Sequence, residues 1–220
     1  MTTVSEAHDH PHDHDHDHDL ADHGHDHDHE HEHEHEVDGE AREAELERER
    51  EYIRRTALAQ IRQYPDAALR MKAKEVAEFD DYLMALTERM IQLMRDAQGV
   101  GLAATQIGIL QRLFVFDLED DGPKAVVNPK LVDPSPETAT EEEGCLSLEG
   151  VRVPVERPTS VTLEGVDPSG NEVRFELEGL GARVVQHEID HLDGVLIIDR
   201  TDGEHRRQAL GRLRPQTVLR

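Results

Sequence analysis

The chain has 220 residues, of which 49 are Asp or Glu and 24 are Lys or Arg, for a formal net charge of -25. Such acidity argues against a protein that neutralises phosphate backbones, so direct DNA binding is not expected. A single cysteine, Cys145, excludes a disulfide within the chain, and no run approaches the roughly 18 apolar residues of a membrane span; a soluble, cytoplasmic protein is expected.

Thirteen of the 16 histidines lie between His8 and His35, where His alternates with Asp and then with Glu. This stretch has nothing to bury, so disorder is expected, and its imidazoles and carboxylates suit weak binding of several divalent metal ions. From Ala41 to Gln63 the composition favours a charged, solvated helix leading into the domain. Residues 1–51 are therefore read as tail and lead-in, and residues 52–220 as the compact domain.

Phe79, Leu83, Leu86, Met90, Leu93 and Met94 recur at helical spacing, predicting one long helix that ends before Gly99. A glycine-punctuated loop follows, Gly99 to Gly108. Strands are predicted at Arg112–Leu118, Ala125–Val132, Val153–Glu156, Ser160–Val166 and Glu172–Leu177, mostly antiparallel. A helix is predicted from about Leu180 to Leu192 with Gly194 ending it, then a short buried run at Val195–Ile198 and a charged C-terminal helix. Helices segregated from a block of strands give an α+β fold, with antiparallel strands packed around the Leu180–Leu192 helix.

Within that helix, His187-Glu188-Ile189-Asp190-His191 fits H-E-x-x-H, whose two imidazoles lie on one helix face and can share an ion. Two tail stretches match the same pattern through biased composition alone, without a scaffold. Two ordinary core or surface histidines are the plain alternative for His187 and His191. Cys145, in Glu143-Gly144-Cys145-Leu146-Ser147-Leu148, is open to three readings from its own sequence: a buried small hydrophobe, a nucleophile paired with His187 or His191, or a third metal ligand.

Three segments together resemble the peptide deformylase family: Gly99-Val100-Gly101-Leu102-Ala103-Ala104-Thr105-Gln106, Glu143-Gly144-Cys145-Leu146-Ser147, and Gln186-His187-Glu188-Ile189-Asp190-His191-Leu192-Asp193-Gly194, in that order. The resemblance spans about residues 55–205. Departures are Glu149, where many relatives have proline, and Gly181, where a bulkier residue is common; both are expected to reshape a pocket wall. The tail lies outside the family pattern.

The resemblance implies removal of the N-formyl group from the initiator methionine of nascent chains, releasing formate. It implies Cys145, His187 and His191 as ligands of one divalent metal, ferrous iron by the family's preference, with zinc fitting the same ligands. Glu188 becomes the general base acting with the metal on water, and the Gln106 amide and the Leu146 backbone N–H stabilise the developing oxyanion. Gly99, Gly101 and Gly144 are expected to clear the approach of an extended substrate. Val100, Leu180 and Val184 are candidates for the methionine pocket, with the stem of Arg183 beside them. Arg152 is expected to brace the cysteine loop through Glu143. Asp190 has no assigned role, and His205 is expected to face solvent. A monomer touching the ribosome transiently, through Arg206, Arg207, Arg212 and Arg214, completes the expectation. A different metal-dependent amidase, or a metal-storage protein whose function is the tail, are the competing classes.

Overall fold

The computed structural model describes residues 31–118 and 122–213, with side chains from residue 41 onward. The described residues divide into two units between Glu45 and Leu46. The expectations of disorder and metal binding for His8 to Glu30, and the contribution of Arg214, fall outside the described residues. Helix α1, His31–Leu58, begins within the His/Glu alternation, ten residues before the predicted start. From residue 41 to Ile53 its side chains are exposed, and only its last turns engage a core, through Ala57 and Leu58.

The apolar stripe predicted from Phe79 forms α2, Asp81–Asp96. Phe79 itself lies outside, because the Asp80 carboxylate accepts a hydrogen bond from the Leu83 N–H at 2.9 Å and caps the helix there. The strands are β1 (Gly101–Ala103), β2 (Leu113–Phe116), β3 (Lys124–Val132), β4 (Thr138–Gly144), β5 (Arg152–Pro158), β6 (Ser160–Val166) and β7 (Glu172–Glu178). They form a five-stranded antiparallel sheet in the order β1-β2-β3-β6-β7 and a separate antiparallel pair, β4-β5. Strands β1 and β4 are additions to the sequence reading. β4, Thr-Ala-Thr-Glu-Glu-Glu-Gly, is mostly exposed and has little apolar signal; its backbone pairing with β5 makes it a strand.

The sheet is covered on both faces, and β2 shows how. Leu113 and Val115 point to a core shared with Leu83, Met90 and Met94 of α2, while Phe114 and Phe116 point to a core shared with Ala182, Val185 and Leu192. The latter three lie on α3, Gly179–Leu192. A third core, of Leu148, Val151, Val153, Val155, Leu196, Ile197 and Ile198, lies under β5. The run at Val195–Ile198, buried from Leu196 onward, passes from extended backbone at Leu196 into the short helix α4, Ile197–Arg200, followed by α5, Gly203–Leu213.

Helix α3 ends where predicted. Gly194 adopts φ +75°, and a side chain there would bring its Cβ to 2.6 Å from the Arg70 carbonyl oxygen. Among the described residues no helix is long and apolar enough to cross a membrane.

Candidate active site

Two loops and one helix meet at the site. The first loop, after β1, carries Gln106 in a 3-10 turn at Ala104–Ile107; the second, after β4, carries Cys145. The segment after α1 ties them together: the Arg62 N–H donates to the Gln106 carbonyl at 2.7 Å, the Gln63 amide to the Leu146 carbonyl at 2.8 Å, and the Tyr64 N–H to the Ser147 carbonyl at 2.9 Å. Helix α3 supplies His187, Glu188 and His191, one face of which is anchored by the Thr105 hydroxyl donating to the His191 carbonyl at 3.1 Å.

Cys145 Sγ lies 3.2 Å from His191 Nε2, and His191 Nε2 lies 3.2 Å from His187 Nε2. The three ligand atoms fall within 4.8 Å of one another. A tetrahedral ion with N ligands at about 2.0–2.1 Å holds them roughly 3.3 Å apart, so the spacing fits a single divalent metal with one position open. Burial opposes a charge on His187, yet its hydrogen bonds to Cys145 and Glu143 lift its pKa well above the ordinary value. Burial and the positive charges of His187 and Arg157 hold His191 well below it. An ion takes both rings as neutral imidazoles, so its binding would displace the proton from His187.

Glu188 is 3 % exposed, its Oε2 has no hydrogen-bond partner among the described residues, and burial above all pushes its pKa up to about 7 against the lowering effect of His187 and Arg157. Gly101 makes room for it: a Cβ at residue 101 would overlap the Glu188 carboxylate, 2.8 Å from Cδ. The Gln106 amide is fixed at both ends. Its Oε1 accepts from the Ala103 N–H at 2.8 Å, and its Nε2 donates to Ser147 Oγ at 3.1 Å, 3.8 Å from Cys145 Sγ.

Beneath the ligands runs a buried charge network. Glu143 accepts both arms of the Arg157 guanidinium at 2.6 and 2.9 Å, Arg183 at 2.7 Å, and the His187 Nδ1 proton at 3.1 Å. The last bond leaves His187 Nε2 free to bind an ion. Arg157 continues to Asp190 at 2.9 Å, which Arg200 also grips through two bonds. Asp190 thereby acquires a structural place. The expectation for Arg152 is corrected: it is exposed at the cavity, and Arg157 holds Glu143 instead. β5 alternates, so Val153, Val155 and Arg157 point inward and Arg152 and Glu156 outward. An arginine on the inward register of a strand was the signal that could have found it. Arg183 is likewise engaged in this network, through Glu143, Glu141 and the Val155 carbonyl, besides lining the cavity.

A cavity of about 690 Å³ opens onto these groups, within the usual range for ligand sites. Val100, Leu180, Val184, Arg183, Gly101, Gly144, Leu146, Gln106, Cys145 and His187 all line it. Val100 is 49 % exposed and Leu180 62 %, so core packing does not account for them; Val184, at 6 %, also belongs to the core. Of the three glycines, Gly99 faces the tip of Leu146 and Gly101 faces Glu188, whereas a Cβ at residue 144 would meet nothing closer than 3.7 Å. Glu149 lines the cavity, but Gly181 does not: it packs on Leu118 and Leu177. His205 is exposed on one side and bonded to Asp202 at the start of α5.

The family model for polypeptide deformylase matches residues 58–207. The chain belongs to the polypeptide deformylase family. It is 50 % identical over 141 residues to a peptide deformylase of Thermotoga sp. (strain RQ2), covering 64 % of this chain and 85 % of the relative. The crystal structure of the Thermotoga maritima peptide deformylase superimposes with a TM-score of 0.63 at 49 % identity, over 64 % of this chain and 96 % of that one. That of the Synechococcus elongatus peptide deformylase in complex with actinonin gives 0.67 at 39 % identity, over 69 % and 85 %. The chain is thus a hydrolase of the deformylase family, whose reaction removes the formyl group from N-terminal formyl-methionine and whose members use a divalent metal.

Proposed function

We propose that Cys145, His187 and His191 hold the metal of this deformylase, and that Glu188, Gln106 and the Leu146 backbone N–H carry out the reaction around it. The observation that supports this best is the convergence of three ligand atoms beside a buried, high-pKa carboxyl and a doubly anchored amide, with Cys145, His187 and Gln106 lining one cavity. A divalent ion supplies Lewis acidity toward water and toward the formyl oxygen. Glu188 accepts a proton from the water attacking the formyl carbon and passes it to the amine as the C–N bond breaks, leaving formate and a methionyl peptide. The Gln106 Nε2 and the Leu146 N–H donate to the oxygen on which negative charge develops. Glu143 orients His187 by accepting its Nδ1 proton.

The methionine side chain is assigned to Val100, Leu180 and Val184, with the Arg183 stem, and the peptide backbone to the edge at Gly101 and Gly144. A thiolate with two imidazoles accepts ferrous iron, the preferred choice here, and zinc equally well by ligand type. The same proposal takes residues 52–220 as the catalytic domain of a cytoplasmic monomer with transient ribosome contact, and gives the His8–Glu36 tail weak additional metal binding on the strength of its histidine density. The test is formate release from formyl-Met-Ala-Ser by protein loaded with ferrous ion without oxygen. Turnover by the parent and its loss by orders of magnitude in Glu188→Ala, with metal retained, is the expected result; full activity in that variant overturns the general-base assignment.

A further inference from the structure

The cavity has a wall residue that the family match does not reach. Arg54, four residues before the start of the matched segment, lines it together with Leu58, one helical turn on along the same face of α1. Leu58 and Ala57 are buried in the core with Leu83, Met90 and Leu102, which fixes this end of the helix against the site. Across from Arg54 stands Glu149, with its carboxylate 3.7 Å from the Arg54 guanidinium. The side chains are 29 % and 60 % exposed, and Arg54 also lies 3.5 Å from Glu51 on its own helix.

We propose that Arg54 and Glu149 form a charge-paired subsite of the active cavity, which accepts either sign of charge on peptide residues downstream of the formyl-methionine. The inference rests on the deformylase reading of the cavity. A single 3.7 Å contact between partly exposed side chains is weak, about 0–1 kcal/mol, so a substrate group can displace either partner. A carboxylate on the peptide takes the place of Glu149 beside Arg54; an ammonium or guanidinium takes the place of Arg54 beside Glu149. While the pair is intact its charges cancel, and the subsite tolerates both. Of the other charges on the cavity wall, Glu143 and Arg183 are held in the buried network, while Glu142 and Arg152 are exposed.

The test uses the full-length, ferrous-loaded protein and formyl-Met-Ala-Xaa-Xaa peptides with Asp, Ser or Lys at the last two positions. The readout is the ratio of kcat/KM for Asp peptides to that for Lys peptides. Arg54→Gln moves the ratio toward Lys and Glu149→Gln toward Asp, each by about 2- to 5-fold, as expected for one exposed charge. The double variant returns close to the parent ratio, and raising the salt to 0.5 M collapses both shifts. Ratios that stay put, or that move the same way in both variants, overturn the subsite while leaving the deformylase reading intact. Absence of formate from every peptide with the parent protein overturns that reading, and the subsite with it.

Discussion

Glu143 is where the buried network is most exposed to attack. Glu143→Gln keeps the shape of the side chain and removes its charge from beneath His187, Arg157 and Arg183. Burial alone raises the pKa of this carboxyl; the hydrogen bonds from His187 and Arg157 and the Arg157 charge outweigh it and hold Glu143 at about 2, against an ordinary 4.5. At about 1.4 kcal/mol per pKa unit, the ionised form contributes about 3 kcal/mol to folding. Because the folded-state value lies below the unfolded one, this contribution is complete above pH 4.5 and is lost as the pH falls toward 2. The variant is therefore expected to unfold about 3 kcal/mol more easily than the parent at pH 7, with the gap closing between pH 4.5 and 2. Denaturant titration of both metal-free proteins along that pH range measures the gap. Losing the charged acceptor for His187 Nδ1 should also weaken metal binding by about 10- to 100-fold, read by competition with a chelator. Equal stabilities at pH 7, or a gap that does not depend on acid, would refute the assignment of Glu143 as the ionised hub.

Glu188 has the opposite sign. Its folded-state pKa is raised to about 7, chiefly by burial, so its ionisation destabilises the metal-free fold as the pH rises from 4.5 through 7, and Glu188→Gln should gain stability relative to the parent over that interval in thermal melts. In Gly101→Ala the new Cβ overlaps the Glu188 carboxylate; a cost of about 1–3 kcal/mol and a fall in kcat larger than any rise in KM are expected. Gly99→Ala, whose Cβ meets chiefly the flexible tip of Leu146, with the Gly101 carbonyl oxygen next at 3.4 Å, is the milder control in the same melts and formate assays. Gln106→Leu strips a partner from the Ala103 N–H and from Ser147 Oγ and removes a donor to the developing oxyanion; kcat should fall by about 10²–10³, and unchanged kcat would exclude that role.

Much of this architecture is legible in the chain itself. The 3.6-residue stripe from Leu83 to Met94 and the alternation in β7, Glu172–Glu178, specify their elements locally, because the spacing of apolar side chains decides which face can be buried. The proposed metal-binding pair is legible for the same reason, since His187 and His191 share one face of α3 by helix geometry alone. Cys145 and Gln106 are different: sequence motif points to them, but the 3.2 Å approach of Cys145 to His191 is made by two loops that the segment after α1 holds in register.

What only the tertiary structure decided involves groups distant in sequence and weak in local signal. Strand β4 has an acidic, exposed sequence and exists through its pairing with β5. Arg157 looks like one more arginine until the pleat of β5 turns it inward onto Glu143 and Asp190, 14 and 33 residues away. Gly101 is expected from the sequence to clear a substrate's approach, yet a Cβ there would fall in the space that Glu188 occupies. Arg54 belongs to a charged, solvated helix, and reaches the cavity because Ala57 and Leu58 seat the end of α1 in the core. Periodicity reports which side of an element is apolar; it carries no record of what that side will face, and the chemistry of a charge or a missing side chain depends on its neighbour.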